Sequence, residues 1–373
     1  MRYNKQGLFI RNLKMVVDWT NIEARVLDYH SFDDLLAEKT LGVLWEIDRV
    51  RSEKNAIILA HYYQIPPIQM VADFKGDSLA LAMKAKEIGD KDLVVSSTVH
   101  FMAEMVKLLS PDKKVVIPSS DASCSIAEGI NASVIQRIRE EFPKAAVVGY
   151  INTTATVKAE FDSVCTSANA EQVVQRIPGK EVILVPDHLF FRNILKKVDD
   201  GRRYLTYEGV VGGSIVLYDH FDDSEFRFPL NGTVAPLLDK GTCIVHEDFT
   251  PEHVKEYRRR EGVDLVLAHP EVRTDVAELA DKVGGTGVMM KFLKDSSAQR
   301  VLYLSECDLA VPLVEAYPSK KFVTPCLLCP YMKKNTLDGL LYSLREEVDV
   351  VDVDAEVVEG ARRSLERMFE LTA

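Results

Sequence analysis

The run Ile57-Ile58-Leu59-Ala60-His61 decides the fold because it recurs: Ser78 follows the histidine by 17 residues, Cys124 comes later, and the same plan occurs three times. Ala146-Val147-Val148-Gly149-Tyr150 is followed by Ser167 and Cys243, and Leu265-Val266-Leu267-Ala268-His269 by Thr286 and Cys329. The step from the residue closing the apolar run to the hydroxyl is 17 in every copy. A fixed internal period marks a repeated architecture. Each copy delivers one hydroxyl and one thiol, so the repeats predict a shared place where three thiols meet, as in a metal or cluster site.

Within each copy, short apolar runs alternate with helical patterns, the mark of βα units on a parallel sheet. The first unit (51–124) reads as strands at 56–60, 71–74, 93–97 and 114–118; the second (125–243) as strands at 145–149, around Val164, at 181–185 and at 242–245. The third (244–329) reads as strands at 264–268, near 284, at 300–304 and at 321–325. The expected fold is therefore α/β, with three homologous αβα units, each a four-stranded parallel sheet, around a central site. The second unit is longer: Cys243 lies 93 residues after Tyr150, against 63 and 60 in the other units. The excess falls in 199–238, where Gly201, Gly209, Gly212-Gly213 and Gly232 punctuate β-like runs, and it reads as an inserted hairpin-rich excursion. Residues 1–50 read as a helical lead-in, and 330–373 as helices packing on the first unit.

A chain of 373 residues with 47% hydrophobic content has room for several cores, and three repeats suit that size. Its net charge of −11 argues against nucleic acid, whose binding needs a basic surface. Asp18 interrupts Met15-Val16-Val17, and nowhere does an apolar run approach membrane thickness, so the expected location is the cytoplasm. Six cysteines are too few for a disulfide framework, which leaves them as thiols in a reducing compartment. Cys165 and Cys307 read as small buried residues.

Ligands of parallel α/β sheets gather at the carboxyl ends of the strands. Ser78, Ser167 and Thr286 all open helical segments there. Each could be a simple N-cap, and each could also present helix-start amides to a carboxylate or phosphate. Cys124, Cys243 and Cys329 likewise precede expected helix starts, where the dipole favours the metal-binding thiolate. Iron-sulfur clusters are held by such thiolates, and three ligands would leave one iron open. The pair Cys326/Cys329 could instead be half of a zinc or dithiol site, though no second C-x-x-C accompanies it. His100, His188 and Glu306 follow the third strand of each unit, and His246 lies one turn beyond Cys243. With Glu271 on the loop His269-Pro270-Glu271, these are candidates for proton transfer.

Together the motifs resemble quinolinate synthases. The segments are Leu59-Ala60-His61-Tyr62-Tyr63-Gln64, Gly76-Asp77-Ser78-Leu79, Val99-His100-Phe101-Met102-Ala103-Glu104, Cys165-Thr166-Ser167-Ala168-Asn169-Ala170, Val245-His246-Glu247, His269-Pro270-Glu271 and Cys329-Pro330-Tyr331-Met332 with Asn335. They stand in that family's order from about residue 55 to 340. The resemblance implies pseudo-threefold symmetry and a [4Fe-4S] cluster on Cys124, Cys243 and Cys329. It implies a substrate pocket of His61, Ser78, Tyr150, Asn152, Ser167, His246, His269, Glu271 and Thr286, with His61, Tyr63 and Glu271 as acid and base groups. The implied reaction joins iminoaspartate to dihydroxyacetone phosphate and forms quinolinate, a precursor of NAD, with a functional link to an enzyme that makes iminoaspartate. The chain departs from the family's pattern at Thr98, Phe191, Val272 and Gly285, the last standing where a serine is usual. A divergent paralogue with another small anionic substrate, and a zinc-binding α/β protein, are the alternatives.

Overall fold

The computed structural model describes Arg25, residues 34–230 and residues 241–373. The lead-in before residue 34, apart from Arg25, and residues 231–238 of the expected insertion lie outside the described residues.

Three sheets follow one another along the chain. The first holds β1 (Ala56–His61), β2 (Phe74–Gly76), β3 (Leu93–Ser97) and β4 (Lys114–Val116) in the order β2-β1-β3-β4, all parallel. The second holds β5 (Ala146–Tyr150), β6 (Ser163–Cys165), β7 (Glu181–Val185), β8 (Arg203–Val211), β9 (Ser214–Asp219) and β10 (Ser224–Pro229), in the order β10-β9-β8-β7-β5-β6. The third, β11 (Leu265–Ala268), β12 (Lys282–Val283), β13 (Arg300–Leu304) and β14 (Lys321–Val323), repeats the first as β12-β11-β13-β14.

Parallel strands are covered on both faces, so they read as unbroken apolar runs. Successive side chains of β1 leave to opposite faces. Ile58 and Ala60 meet Leu44, Ile47 and Val50 of the helix Asp34–Glu53, together with Leu340 and Leu344 of the helix Leu337–Glu346. Ile57 and Leu59 turn instead into a large core that also takes in Val147 and Leu184 of the second unit and Leu267 and Tyr303 of the third. The third sheet divides in the same way, with Val266, Ala268, Leu302 and Leu304 packed on Phe249 and Val254. Each large aliphatic side chain buried here contributes about 1.5–3 kcal/mol. One shared core thus ties the three units together around the strand ends.

Two expectations for the second unit change. Residues 242–245 form no strand, because the place beside β7 is taken by β8, which pairs in parallel with it. A nine-residue strand burying Tyr204, Leu205 and Tyr207 outcompetes the short Thr242-Cys243-Ile244-Val245 for that edge. The segment 199–238 is therefore not wholly an insertion: its first strand completes the parallel set of four. Only β9 and β10 are additional, antiparallel, and they make this sheet six-stranded. Gly212 and Gly213, at φ +58° and +78°, supply the two-residue turn from β8 to β9 that other residues enter with strain.

The closing helices cover different units. After the helix Leu337–Glu346, the chain runs along the free edge of β4, where the Val351 N–H donates to the Val115 carbonyl (2.8 Å) and the Ile117 N–H to that of Asp349 (3.2 Å). An exposed edge that could pair with another chain is thereby closed. The helix Ala355–Thr372 then lies along β6 and the helices Ala155–Lys158 and Ala170–Arg176 of the second unit. No helix among the described residues is long and apolar enough to cross a membrane.

Candidate active site

His61 ends β1, Tyr150 ends β5 and His269 follows β11, so the equivalent residue of each unit stands at a carboxyl strand end. Ser78 and Thr286 are the first residues of the helices Ser78–Ala85 and Thr286–Lys294, and Ser167 lies in the turn before Ala170–Arg176. One cavity collects them all. Its wall contains His61, Tyr63, Ser78, Tyr150, Asn152, Ser167, His246, His269, Glu271 and Thr286, together with Cys124, Cys243 and Cys329. Glu306 also reaches it. His100 and His188 do not line it: His100 faces Glu104 at 3.9 Å and His188 faces Glu208 at 3.8 Å.

The repeat extends to hydrogen bonding. The Tyr63 N–H donates to His61 Nδ1 (3.1 Å), and the Glu271 N–H approaches His269 Nδ1 at 3.5 Å. The His61 imidazole so turned keeps its proton on Nε2, whereas His269 Nδ1 also stands 3.5 Å from Glu271 Oε2. Burial pushes both His61 and His269 down to about 3, although Glu271 nearby acts in the opposite direction, so both rings are neutral.

Glu271 is the electrostatic centre. The Tyr150 hydroxyl donates to its Oε1 (2.5 Å), and His246 Nδ1 stands 2.7 Å from its Oε2. Burial opposes ionisation of Glu271, yet His269 and His246, and the hydrogen bonds from His246 and Tyr150, hold its carboxyl well below the usual range. A carboxylate only accepts, so His246 Nδ1 carries the proton that faces it. His246 stacks on His269 with centroids 4.4 Å apart, and Tyr150 on Phe190 at 4.1 Å, which fixes both rings. Burial, reinforced by the Glu271 charge, raises both the Tyr63 and the Tyr150 phenols well above their ordinary value.

The thiols sit on short turns rather than long helices. Cys124 precedes the four-residue helix Ser125–Glu128, Cys243 begins a turn closed by the Glu247 N–H on its carbonyl (2.9 Å), and Cys329 leads into a single 3₁₀ turn, Met332–Lys334. The expected dipole effect is accordingly overridden. Burial pushes Cys124 up to about 12, Cys243 well above its ordinary value and Cys329 upward. Backbone N–H groups of the following turn nevertheless point at each sulfur: Ala127 and Ile126 at Cys124, His246 at Cys243, and Met332 and Tyr331 at Cys329. Three half-buried cysteines whose sulfurs repel one another as thiolates, each with amide donors, suit a cationic metal centre. Cys243, His246 and Glu271 also converge, their ligating atoms within 4.8 Å of one another, but His246 and Glu271 are already committed to each other.

Neighbouring side chains hold these loops. The Ser125 hydroxyl donates to the Thr242 carbonyl (2.8 Å) and accepts from the Ile244 N–H (3.2 Å), fastening the Cys124 turn to the Cys243 turn. Glu306 accepts from the Cys329 N–H (3.2 Å) and pairs with Lys333 at 2.6 Å; burial raises its carboxyl to about 7 despite that lysine. Cys307 and Cys326, expected as thiols, are joined by a disulfide. The ends of β13 and β14 lie side by side, and the Cys307 N–H donates to the Leu327 carbonyl (2.9 Å), so proximity decides what cysteine counting could not. The C-x-x-C pair is thereby divided, Cys326 to the disulfide and Cys329 to the cavity. Cys165 is a buried free thiol, as its composition class suggested.

Sequence reasoning missed Asp77 and Ser305. Asp77 looks like an ordinary cap, and its Oδ1 does accept from the Ala80 N–H (2.9 Å); its Oδ2 also accepts from the Gly287 N–H (3.2 Å) at the third unit's helix start. Thr286 Oγ1 and Asn152 Oδ1 have no hydrogen-bond partner among the described residues, which leaves them for a ligand.

Comparison with known proteins finds relatives of a single family. The family model described as Quinolinate synthetase A protein matches residues 45–370. A quinolinate synthase of Agrobacterium fabrum is 37% identical over 323 residues, covering 86% of this chain and 84% of the relative. Quinolinate synthase 1 of Mesorhizobium japonicum is 38% identical over 321 residues, 86% and 88% of the two chains. The quinolinate synthase of Caulobacter vibrioides is 38% identical over 331 residues, covering 87% and 81%.

Proposed function

The chain belongs to the quinolinate synthetase A family, and from that membership we propose that it condenses iminoaspartate with dihydroxyacetone phosphate to quinolinate, losing phosphate and two waters. It would work in the cytoplasm on the route to NAD, after an enzyme that supplies iminoaspartate. The observation that carries this reading is the convergence of one cysteine from each unit on a cavity otherwise walled by the repeated hydroxyls and the Glu271 network.

Cys124, Cys243 and Cys329 would hold a [4Fe-4S] cluster, whose fourth iron supplies a Lewis acid for loss of water when the cluster is bound. The chain's own groups account for the rest. Ser78 and Thr286, with the amides of the helices they open, offer donors to carboxylate and phosphate groups, and Ser167 and Asn152 add polar contacts beside them. Neutral His61 presents an Nε2–H to the substrate, and neutral His269 lines the same wall, neither adding a charge. Glu271 accepts a proton at a carboxylate oxygen, and Tyr63 serves as the second proton-transfer group.

Serine substitution of each ligand tests this assignment. Cys124→Ser, Cys243→Ser and Cys329→Ser, purified without oxygen, should each lose most of the iron and acid-labile sulfide and at least a hundredfold in turnover. Full iron content in any one of them would remove that cysteine from the ligand set.

A further inference from the structure

Ser305, the residue that follows β13, is fully buried and stands behind the cavity wall rather than in it. Its Oγ lies 2.7 Å from the Tyr63 hydroxyl and 3.2 Å from His246 Nε2. His246 Nδ1 faces the Glu271 carboxylate at 2.7 Å and the Cys243 sulfur at 3.1 Å, so the ring is held at both nitrogens. One buried hydroxyl thus joins the Tyr63 phenol of the first unit to the His246 ring of the third.

We propose that Ser305 is a positioning residue for the reaction: its hydroxyl fixes the place of the Tyr63 hydroxyl and the ring orientation of His246, two groups contributed by different units. The inference rests on the quinolinate-forming reading above. Without the hydroxyl, the Tyr63 phenol and His246 Nε2 each lose the partner that holds them. Tyr63 is held on its other side by packing against His61, with centroids 4.5 Å apart, so the ring stays in place while its hydroxyl loses its anchor. Binding groups on the helix starts are untouched, so the effect falls on turnover rather than on affinity.

Steady-state kinetics of Ser305→Ala and Ser305→Thr, with iron content and thermal midpoint measured on the same anaerobic preparations, test this. The expected result is a 10- to 100-fold loss of kcat in Ser305→Ala with KM within about twofold of the unsubstituted protein, unchanged iron, an unchanged midpoint, and recovery of most of the turnover in Ser305→Thr. Tyr63→Phe, with the same readouts, sets the scale of losing the phenol altogether. A Ser305→Ala protein that turns over normally, that loses iron or stability in step with activity, or that Ser305→Thr fails to improve on, would overturn the proposal. If the unsubstituted protein with a full complement of iron forms no quinolinate, the underlying reading fails instead, and the two failures are told apart by that control.

Discussion

At the scale of single residues, the site is a linked set of polar side chains: Glu271 holds His246, His246 meets Ser305, and Ser305 meets the phenol of Tyr63. Gly285 belongs to the same scale. A Cβ built there would lie 2.3 Å from Ser167 Oγ and 3.1 Å from the Ser167 carbonyl carbon, so the second unit's hydroxyl occupies the space that a side chain at 285 would need. Ser167 thus stands where the side chain of a residue at 285 would lie. Gly285→Ser is expected to raise the KM for dihydroxyacetone phosphate at least fivefold and to cost about 1–3 kcal/mol of stability through overpacking against backbone. Substrate titration and urea unfolding check it; a lower KM in the variant would mean that a hydroxyl at 285 adds a contact without displacing Ser167.

At the scale of elements, the strand ends deliver the chemistry and short turns hold it. The disulfide from Cys307 to Cys326 clamps the loop that carries Cys329 to the turn after β13, beside the Glu306 contact to the Cys329 N–H. Closing a loop of this length removes unfolded-state entropy equivalent to about 3 kcal/mol. Cys326→Ser should therefore unfold at lower denaturant and release iron to a chelator several-fold faster than the unsubstituted protein; equal release rates would show that the clamp does not bear on the Cys329 loop. The disulfide was illegible in the sequence because six scattered cysteines carry no pairing, and the adjacency of β13 and β14 appears only in the fold. The opposite holds for β1, β3, β5, β7, β11 and β13: their unbroken apolar runs stand out because both faces are buried. The fourth strand of the second sheet was displaced because β8 reads as part of a glycine-punctuated excursion, and local pattern cannot say which of two β-like runs wins an edge.

At the scale of the whole molecule, three units that differ in length share one core, and each contributes a cysteine and a hydroxyl to one cavity. The period of 17 in the sequence made those contributors legible, because the step from strand end to hydroxyl spans the same strand-turn-helix path in each copy. Asp77 and Ser305 stayed hidden because their partners lie in other units: Gly287 is 210 residues away from Asp77, and Tyr63 is 242 from Ser305. A cluster-bearing cavity that makes quinolinate is the reading on which all of these roles depend. The most direct measurement supplies iminoaspartate and dihydroxyacetone phosphate to protein purified without oxygen and follows quinolinate and phosphate together. Equal amounts of both, in proportion to bound iron, are the predicted result; a fully iron-loaded protein that releases neither product would contradict it.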